Sequence, residues 1–214
     1  MTAANEILGL DRAAILQIAR QLRAGYRMKQ TLRYASVRPP EHSESNAEHV
    51  YGLMLLMQYF LPHEDPEGQW DRNRIAGMLL YHDIPEIIHG DIAYHLKTRE
   101  QVEREHAAAP VAFGQLPAPL AEEGFALWRE YERQDTPEAR FAYALDKLEP
   151  MFELFENPYG AATMHRLKFT FEMHLAKKLR ATEGFPVMRR FVEVMSDEMR
   201  RAGVFYEDEA EEKE

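Results

Sequence analysis

Apolar residues recur along this chain with the spacing of an α-helix, and the strict alternation of a strand is absent. Ile15, Ile18 and Leu22 lie on one stripe near the N-terminus. Val50, Leu53, Met54, Met57 and Leu61 follow i, i+3, i+4, i+7, i+11 spacing, the pattern of a helix with one buried face. Ser45 and Glu48 have the spacing of a capping box at the start of that helix. Asp71 is placed to cap a helix carrying Ile75, Met78 and Leu79. That helix is expected to end near Asp83-Ile84-Pro85, because proline cannot sit deep in a helix. Charged helices are expected over 98–113 and 117–134. Thr136-Pro137-Glu138 reads as an N-cap, a proline at the first helical position and an acid in the first turn. The helix it opens carries Phe141, Ala144, Leu145, Leu148 and Phe152, with a kink or break expected before Pro150. Met164, Leu167, Phe171 and Leu175 predict one further helix; Val187, Phe191, Val194 and Met195 predict the last. The expected fold is all-α, one compact helical domain over residues 1–205.

Composition narrows the chemistry. A chain of 214 residues, 45% hydrophobic and 29% charged, suits a domain that buries its own core. It contains no cysteine, which removes disulfides and thiolate metal sites; any metal must be held by histidine, carboxylate and water. Met1 to Gly9 lacks a basic region followed by an apolar run, so no secretory signal is expected. No uncharged apolar run approaches the ~20 residues that cross a bilayer. The expected location is the cytoplasm, with no membrane partner. The formal charge is −10, and residues 206–214, with six acids and one base, supply half of it. That tail is expected to be disordered. The acidic balance disfavours a nucleic-acid polymer as partner but leaves room for a small phosphate-bearing molecule.

Four residues carry the candidate chemistry: His49, His82, Asp83 and Asp146. His49 is in line with Leu53, Leu56 and Phe60, and His82 with Ile75, Met78 and Leu79, so both imidazoles are expected to point inward. A lone histidine on an apolar face is usually a hydrogen-bonded core residue. Two inward imidazoles with two inward carboxylates need mutual compensation, and a divalent cation supplies it in one step. Adjacent helical residues diverge by roughly 100°, so His82 and Asp83 can share an ion only near a helix end, which Pro85 places there. Glu86, one turn from His82, would sit just outside the metal shell, where a carboxylate can move a proton. Gly90 permits a tight turn that returns Asp91 toward the site. The blander readings make Glu86 a first-turn helix acid and Asp91 an N-cap. Lys29, Arg33, Arg38 and Lys147 are candidate phosphate cations. Arg33, beside Tyr34, is the best of them, since arginine can fork two hydrogen bonds onto a phosphate. The polar loop Arg38–Ser43 is expected to face substrate.

The order and spacing of these residues resemble the HD-domain superfamily of metal-dependent phosphohydrolases. The runs Glu44-Ser-Asn-Ala-Glu-His49, Tyr81-His-Asp-Ile-Pro-Glu86 with Gly90-Asp91, and Ala144-Leu-Asp-Lys-Leu-Glu149 are similar to its 5′-deoxynucleotidase branch, over roughly residues 29 to 155. The resemblance implies a compact helical domain, usually dimeric, that removes phosphate from deoxynucleoside 5′-monophosphates. It implies His49, His82, Asp83 and Asp146 as ligands of one divalent metal (Mn, Fe, Co, Ni, Zn or Mg). Glu86 and Asp91 would be catalytic, and Arg33, Tyr34 and Lys147 would contact substrate. Tyr34 stands where that branch often has tryptophan. Histidines at the further positions that two-metal relatives use are not evident, although His42 and His89 are nearby, which favours one metal. Rival chemistries are hydrolysis of a cyclic nucleotide, a nucleoside triphosphate or a guanosine alarmone. A rival of another class is a non-catalytic helical protein that binds metal or nucleotide.

Overall fold

The computed structural model describes residues 7–92 and 97–207. Over these residues the fold is all-α. The helices are α1 (Arg12–Gly25), α2 (Asn46–Glu64), α3 (Arg72–Tyr81), the single turn α4 (Glu86–His89), α5 (Arg99–Phe113), α6 (Ala118–Arg133), α7 (Pro137–Leu154), α8 (Gly160–Arg166), α9 (Phe171–Ala181) and α10 (Pro186–Arg201). The extended backbone pairing among the described residues is one isolated antiparallel bridge between Leu32 and Ser45.

The predicted caps form. Ser45 and Glu48 make a reciprocal capping box at the start of α2. The Asp71 side chain accepts from Asn73 N and Arg74 N, and Thr136 caps α7. Each such cap satisfies amides that the first helical turn leaves unpaired, worth about 1 kcal/mol.

Helices α2, α3 and α7 pack on one another with α6 and α10 around them. Leu53, Phe60, Ile75, Met78, Leu145 and Leu148 are wholly buried at their centre. Each contributes roughly 1.5–3 kcal/mol of apolar burial. A second cluster, Tyr81, Ile84, Phe113 and Trp128, fills the space under α5 and α6. A third, Leu154, Met164, Phe169, Met199 and Phe205, lies toward the C-terminus. The central packing brings the middle of α7 against the start of α2 and the end of α3.

Three expectations change. First, α7 runs through Pro150 to Leu154 without a break. A proline inside a helix costs about 3 kcal/mol, but Leu145, Leu148, Met151 and Leu154 are all buried around it, which outweighs that cost. Second, the run Met164 to Leu175 is two helices, not one. The chain turns at Lys168, whose φ is +51°, and Thr170 caps α9. Leu167 and Phe171 kept helical spacing because they pack on the same third cluster from either side of the turn. Third, the stripe of α1 is not covered: α1 has no buried residue, and Ile15 and Leu22 are exposed. At the other end, Tyr206, assigned to the acidic tail, bonds through its amide to Phe169 O at 3.1 Å. Residues 208–214 of that tail lie outside the described residues. No described helix is long and apolar enough to cross a membrane.

Candidate metal centre

A cavity of about 740 Å³ opens beside α7, and Arg33, Tyr34, Asp83, Glu86, Asp91, Asp146 and Lys147 line it. Local structure explains how each reaches it. The capping box fixes the first turn of α2, on which Asn46 and His49 sit. Helix α3 ends at Tyr81, with His82 as its C-cap. Turns closed by Ile84 N to Tyr81 O (3.1 Å) and Glu86 N to Asp83 O (3.0 Å) follow. The helix end frees His82 and Asp83 from helical divergence, so their side chains meet: His82 Nε2 lies 3.2 Å from Asp83 Oδ2. Gly90, at φ +82°, turns the chain toward Asp91. Arg33 is pinned by its own amide, which donates to Glu44 O at 2.7 Å beside the Leu32–Ser45 bridge.

The donor atoms converge in pairs. His49 Nδ1 donates to Glu149 Oε2 at 2.7 Å, which turns its Nε2 toward Asp146 Oδ1, 3.1 Å away. His82 Nδ1 donates to the Leu79 carbonyl at 3.0 Å. A carbonyl only accepts, so Nδ1 carries a proton, and Nε2 faces Asp83 Oδ2 and, at 3.5 Å, Asp146 Oδ1. Asp146 is divided in the same way. Its Oδ2 accepts from the Tyr131 hydroxyl (2.6 Å) and Lys147 Nζ (2.7 Å), leaving Oδ1 for the imidazoles. His49, His82 and Asp83 offer ligand atoms within 4.8 Å of one another. All three residues are buried, as is Asp146.

This set fits a divalent cation. His82 Nε2 is buried and has no hydrogen-bond partner among the described residues. Two imidazoles and two carboxylates buried together, with Arg33 on one of the carboxylates, are stable only with positive charge among them, supplied by protons on the imidazoles or by a divalent ion. The proton affinities say the same. Burial opposes charge on His49, and Arg33 adds to that, yet Glu149 and Asp146 raise its pKa to about 9. Burial likewise opposes charge on His82, but Asp83 and Asp146 raise it to about 10. Asp83 stays well below the usual carboxylate range: burial works against that, and the His82 and Arg33 charges prevail. The imidazole nitrogens and carboxylate oxygens suit first-row divalent ions.

Around this centre, Glu86 is buried and receives Asn46 Nδ2 at 2.8 Å and Lys97 Nζ at 3.4 Å. Burial, then Asp83 and Asp91, push its pKa well above the ordinary value, against Lys97 and Arg33. Asp91 is raised as well, by burial and by Asp83, against Arg33. Arg33 NH1 contacts Asp83 Oδ2 at 3.4 Å, and its Nε lies 3.2 Å from Glu44 Oε2 without hydrogen-bond geometry. Tyr34 holds a left-handed φ of +60° at the cavity wall, a conformation that non-glycine residues adopt rarely.

Seven of the nine candidate residues of the sequence reading line one cavity, and His49 and His82 lie behind its wall against Asp83 and Asp146. Lys147, expected to face substrate, is ion-paired with Asp146. The loop Arg38–Ser43 does not line the cavity. Arg38 is buried and tied to Glu153 and Thr163, each at 2.7 Å, and His42 stacks on Tyr159. His89 is exposed and bonds its neighbour's carbonyl, Gly90 O. Lys29 is exposed too. Sequence reasoning gave no role to Glu149, Tyr131, Asn46 and Lys97. Glu149 carried a signal: it lies one turn from Asp146 on α7, facing the same partners. Gly52, one turn past His49, makes room for it, since a Cβ there would come within 2.9 Å of Glu149 Oε1.

Known proteins resemble this chain. The HD domain family model matches residues 26–187. The human 5′-deoxynucleotidase HDDC2 is 30% identical over 125 residues, 58% of this chain and 57% of that protein. The 5′-deoxynucleotidase hdd1 of Schizosaccharomyces pombe is 34% identical over 122 residues, 54% of this chain and 59% of that one. The chain thus spans less than three fifths of the length of these curated relatives. A crystal structure of a predicted metal-dependent phosphohydrolase from Magnetospirillum magnetotacticum superposes with a TM-score of 0.71 at 30% identity, covering 90% of this chain and 98% of that chain. The chain belongs to the HD-domain family.

Proposed function

We propose that this chain is a metal-dependent phosphomonoesterase that hydrolyses deoxynucleoside 5′-monophosphates to nucleoside and phosphate. One observation supports the reading: Nε2 of His49 and of His82 converge with Asp83 Oδ2 and Asp146 Oδ1 at one buried point. The names of the relatives support the substrate class. His49, His82, Asp83 and Asp146 would hold one divalent ion, with Mn, Fe, Co, Ni, Zn and Mg as the candidates. When bound, such an ion activates a water and neutralises charge on the phosphate.

The chain's own side chains do the rest. Arg33, charged and oriented by Asp83 and Glu44, presents its guanidinium to the phosphate oxygens. Tyr34 lies beside it on the wall, next to the sugar. Glu86, held by Asn46 and Lys97, would pass a proton between the attacking water and the departing 5′ oxygen. Asp91, whose carboxyl is also raised, positions that water. Lys147 and Tyr131 keep Asp146 turned toward the imidazoles.

The test is release of inorganic phosphate from a panel of deoxynucleoside monophosphates, cyclic nucleotides, nucleoside triphosphates and a guanosine alarmone, using protein loaded with each candidate metal. Turnover is expected on the monophosphates. Release confined to another class on the panel, or to none, would overturn the reading.

A further inference from the structure

The cations that line the cavity differ in their partners. Arg33 lies against Asp83 and Glu44, Lys97 against Glu86 and Glu105, and Lys147 against Asp146. Lys178, on α9, also lines the cavity. Among the described residues no carboxylate lies within ion-pair distance of it; its ammonium donates to the Lys147 carbonyl. That bond holds Nζ against α7 one residue past Asp146. An ammonium has three N–H groups, so two remain for another acceptor. Burial, then Lys147, lower the Lys178 pKa to about 7, with Arg33 acting in the same direction and the more distant Asp146 and Glu149 carboxylates opposing them. A partly buried ammonium without a counterion is costly, and a ligand anion would remove that cost.

We propose that Lys178 is a phosphate-binding residue, the second cationic arm of the site, closing on the phosphate from the α9 side of the cavity while Arg33 holds it from the α2 side. This rests on the phosphoester reading above and adds to it a residue outside the segment that resembles the 5′-deoxynucleotidases. The seat takes the phosphate group itself, whether it arrives on a nucleotide or remains as the inorganic product.

The test uses metal-loaded protein with Lys178→Met, Lys178→Gln and Lys178→Arg. Two quantities are read: kcat and KM for a deoxynucleoside 5′-monophosphate, and the dissociation constant of inorganic phosphate by calorimetry. Lys178→Met is expected to raise KM and to weaken phosphate about tenfold, the worth of one charge-assisted hydrogen bond, with a smaller change in kcat. Lys178→Gln keeps a donor for the Lys147 carbonyl but loses the charge, and the same tenfold loss is expected. Lys178→Arg should restore both constants to within about threefold. Unchanged constants in the Met and Gln proteins would overturn the proposal. So would recovery in Gln, which assigns Lys178 to the backbone bond alone. Weaker nucleotide binding with unchanged phosphate binding would overturn it too, since the contact would then be to another part of the nucleotide. If the wild-type protein hydrolyses no monophosphate, the functional reading fails, while phosphate binding by wild type against Lys178→Met still decides the seat.

Discussion

Two buried histidine environments in this molecule behave in opposite ways. His49 and His82, between α2, α3 and α7, face carboxylates, and their pKa values rise to about 9 and about 10. His174, on α9, is just as buried. It sits among Phe169 and Phe205, bonds Ser196 Oγ at 3.0 Å through Nε2, and has its pKa lowered to about 3 by burial and by Lys178. Burial is common to both and lowers the pKa in both. What differs is the company: carboxylates favour positive charge at a buried imidazole, as the proposed cation site requires, where apolar neighbours keep it neutral.

The sharpest way to break the contrast is to remove the company. Asp83→Ala should abolish turnover to the detection limit and reduce bound metal, because it takes away the carboxylate nearest His82 Nε2. Phosphate release and metal analysis on the same sample check this. Near-normal turnover would dissolve the distinction between the two regions.

Next in size is a change that leaves the ligands in place. Glu86→Gln should lower kcat by about 10²–10⁴-fold, the usual worth of a proton-transfer group, with metal content unchanged. Loss of metal in that variant would move Glu86 from proton transfer into the coordination shell.

A smaller effect is expected one layer further out. Glu149→Gln should weaken metal binding by roughly 10–100-fold, because the carboxylate orients and strengthens His49 as a ligand. Competition with a chelator measures it. Equal affinity would show that the Leu79 carbonyl on His82 suffices to orient the pair.

The second environment predicts the smallest effect, one of stability. The folded pKa of His174 lies below the value of about 6.5 expected in the unfolded chain. Between about 3 and 6.5 the unfolded chain therefore binds more protons, and stability falls as pH falls through that window. The slope contributed is at most about 1.4 kcal/mol per pH unit. It vanishes above that window, where both states are neutral. Denaturant midpoints from pH 7 to pH 4 should flatten in His174→Gln. An identical slope would mean that this histidine is accessible to protons in the folded chain.

Much of the fold and most of the centre were legible because they rest on local rules. Caps at Ser45, Asp71 and Thr136 and the stripe beneath His49 announce helices and an inward imidazole, while Pro85 announces the helix end where two adjacent ligands can meet. What escaped depends on tertiary contacts. Pro150 signals a break, and only the burial of its neighbours shows why there is none. Met164 to Leu175 keeps one periodicity across a turn because both sides reach one apolar cluster. The role of the Glu149 carboxylate depends on α2 lying against α7 with Gly52 at the crossing. Lys178 and His174 lie on α9, and nothing in their own neighbourhood points to the cavity they line.

The most direct test of the central claim is metal stoichiometry. Wild type, His82→Ala and Asp146→Ala should each be equilibrated with Co²⁺ and assayed by elemental analysis together with the visible absorption spectrum. One ion per chain with a ligand-field band is predicted for wild type, and neither for the two variants. The same stoichiometry and spectrum in all three proteins would contradict the metal centre described above.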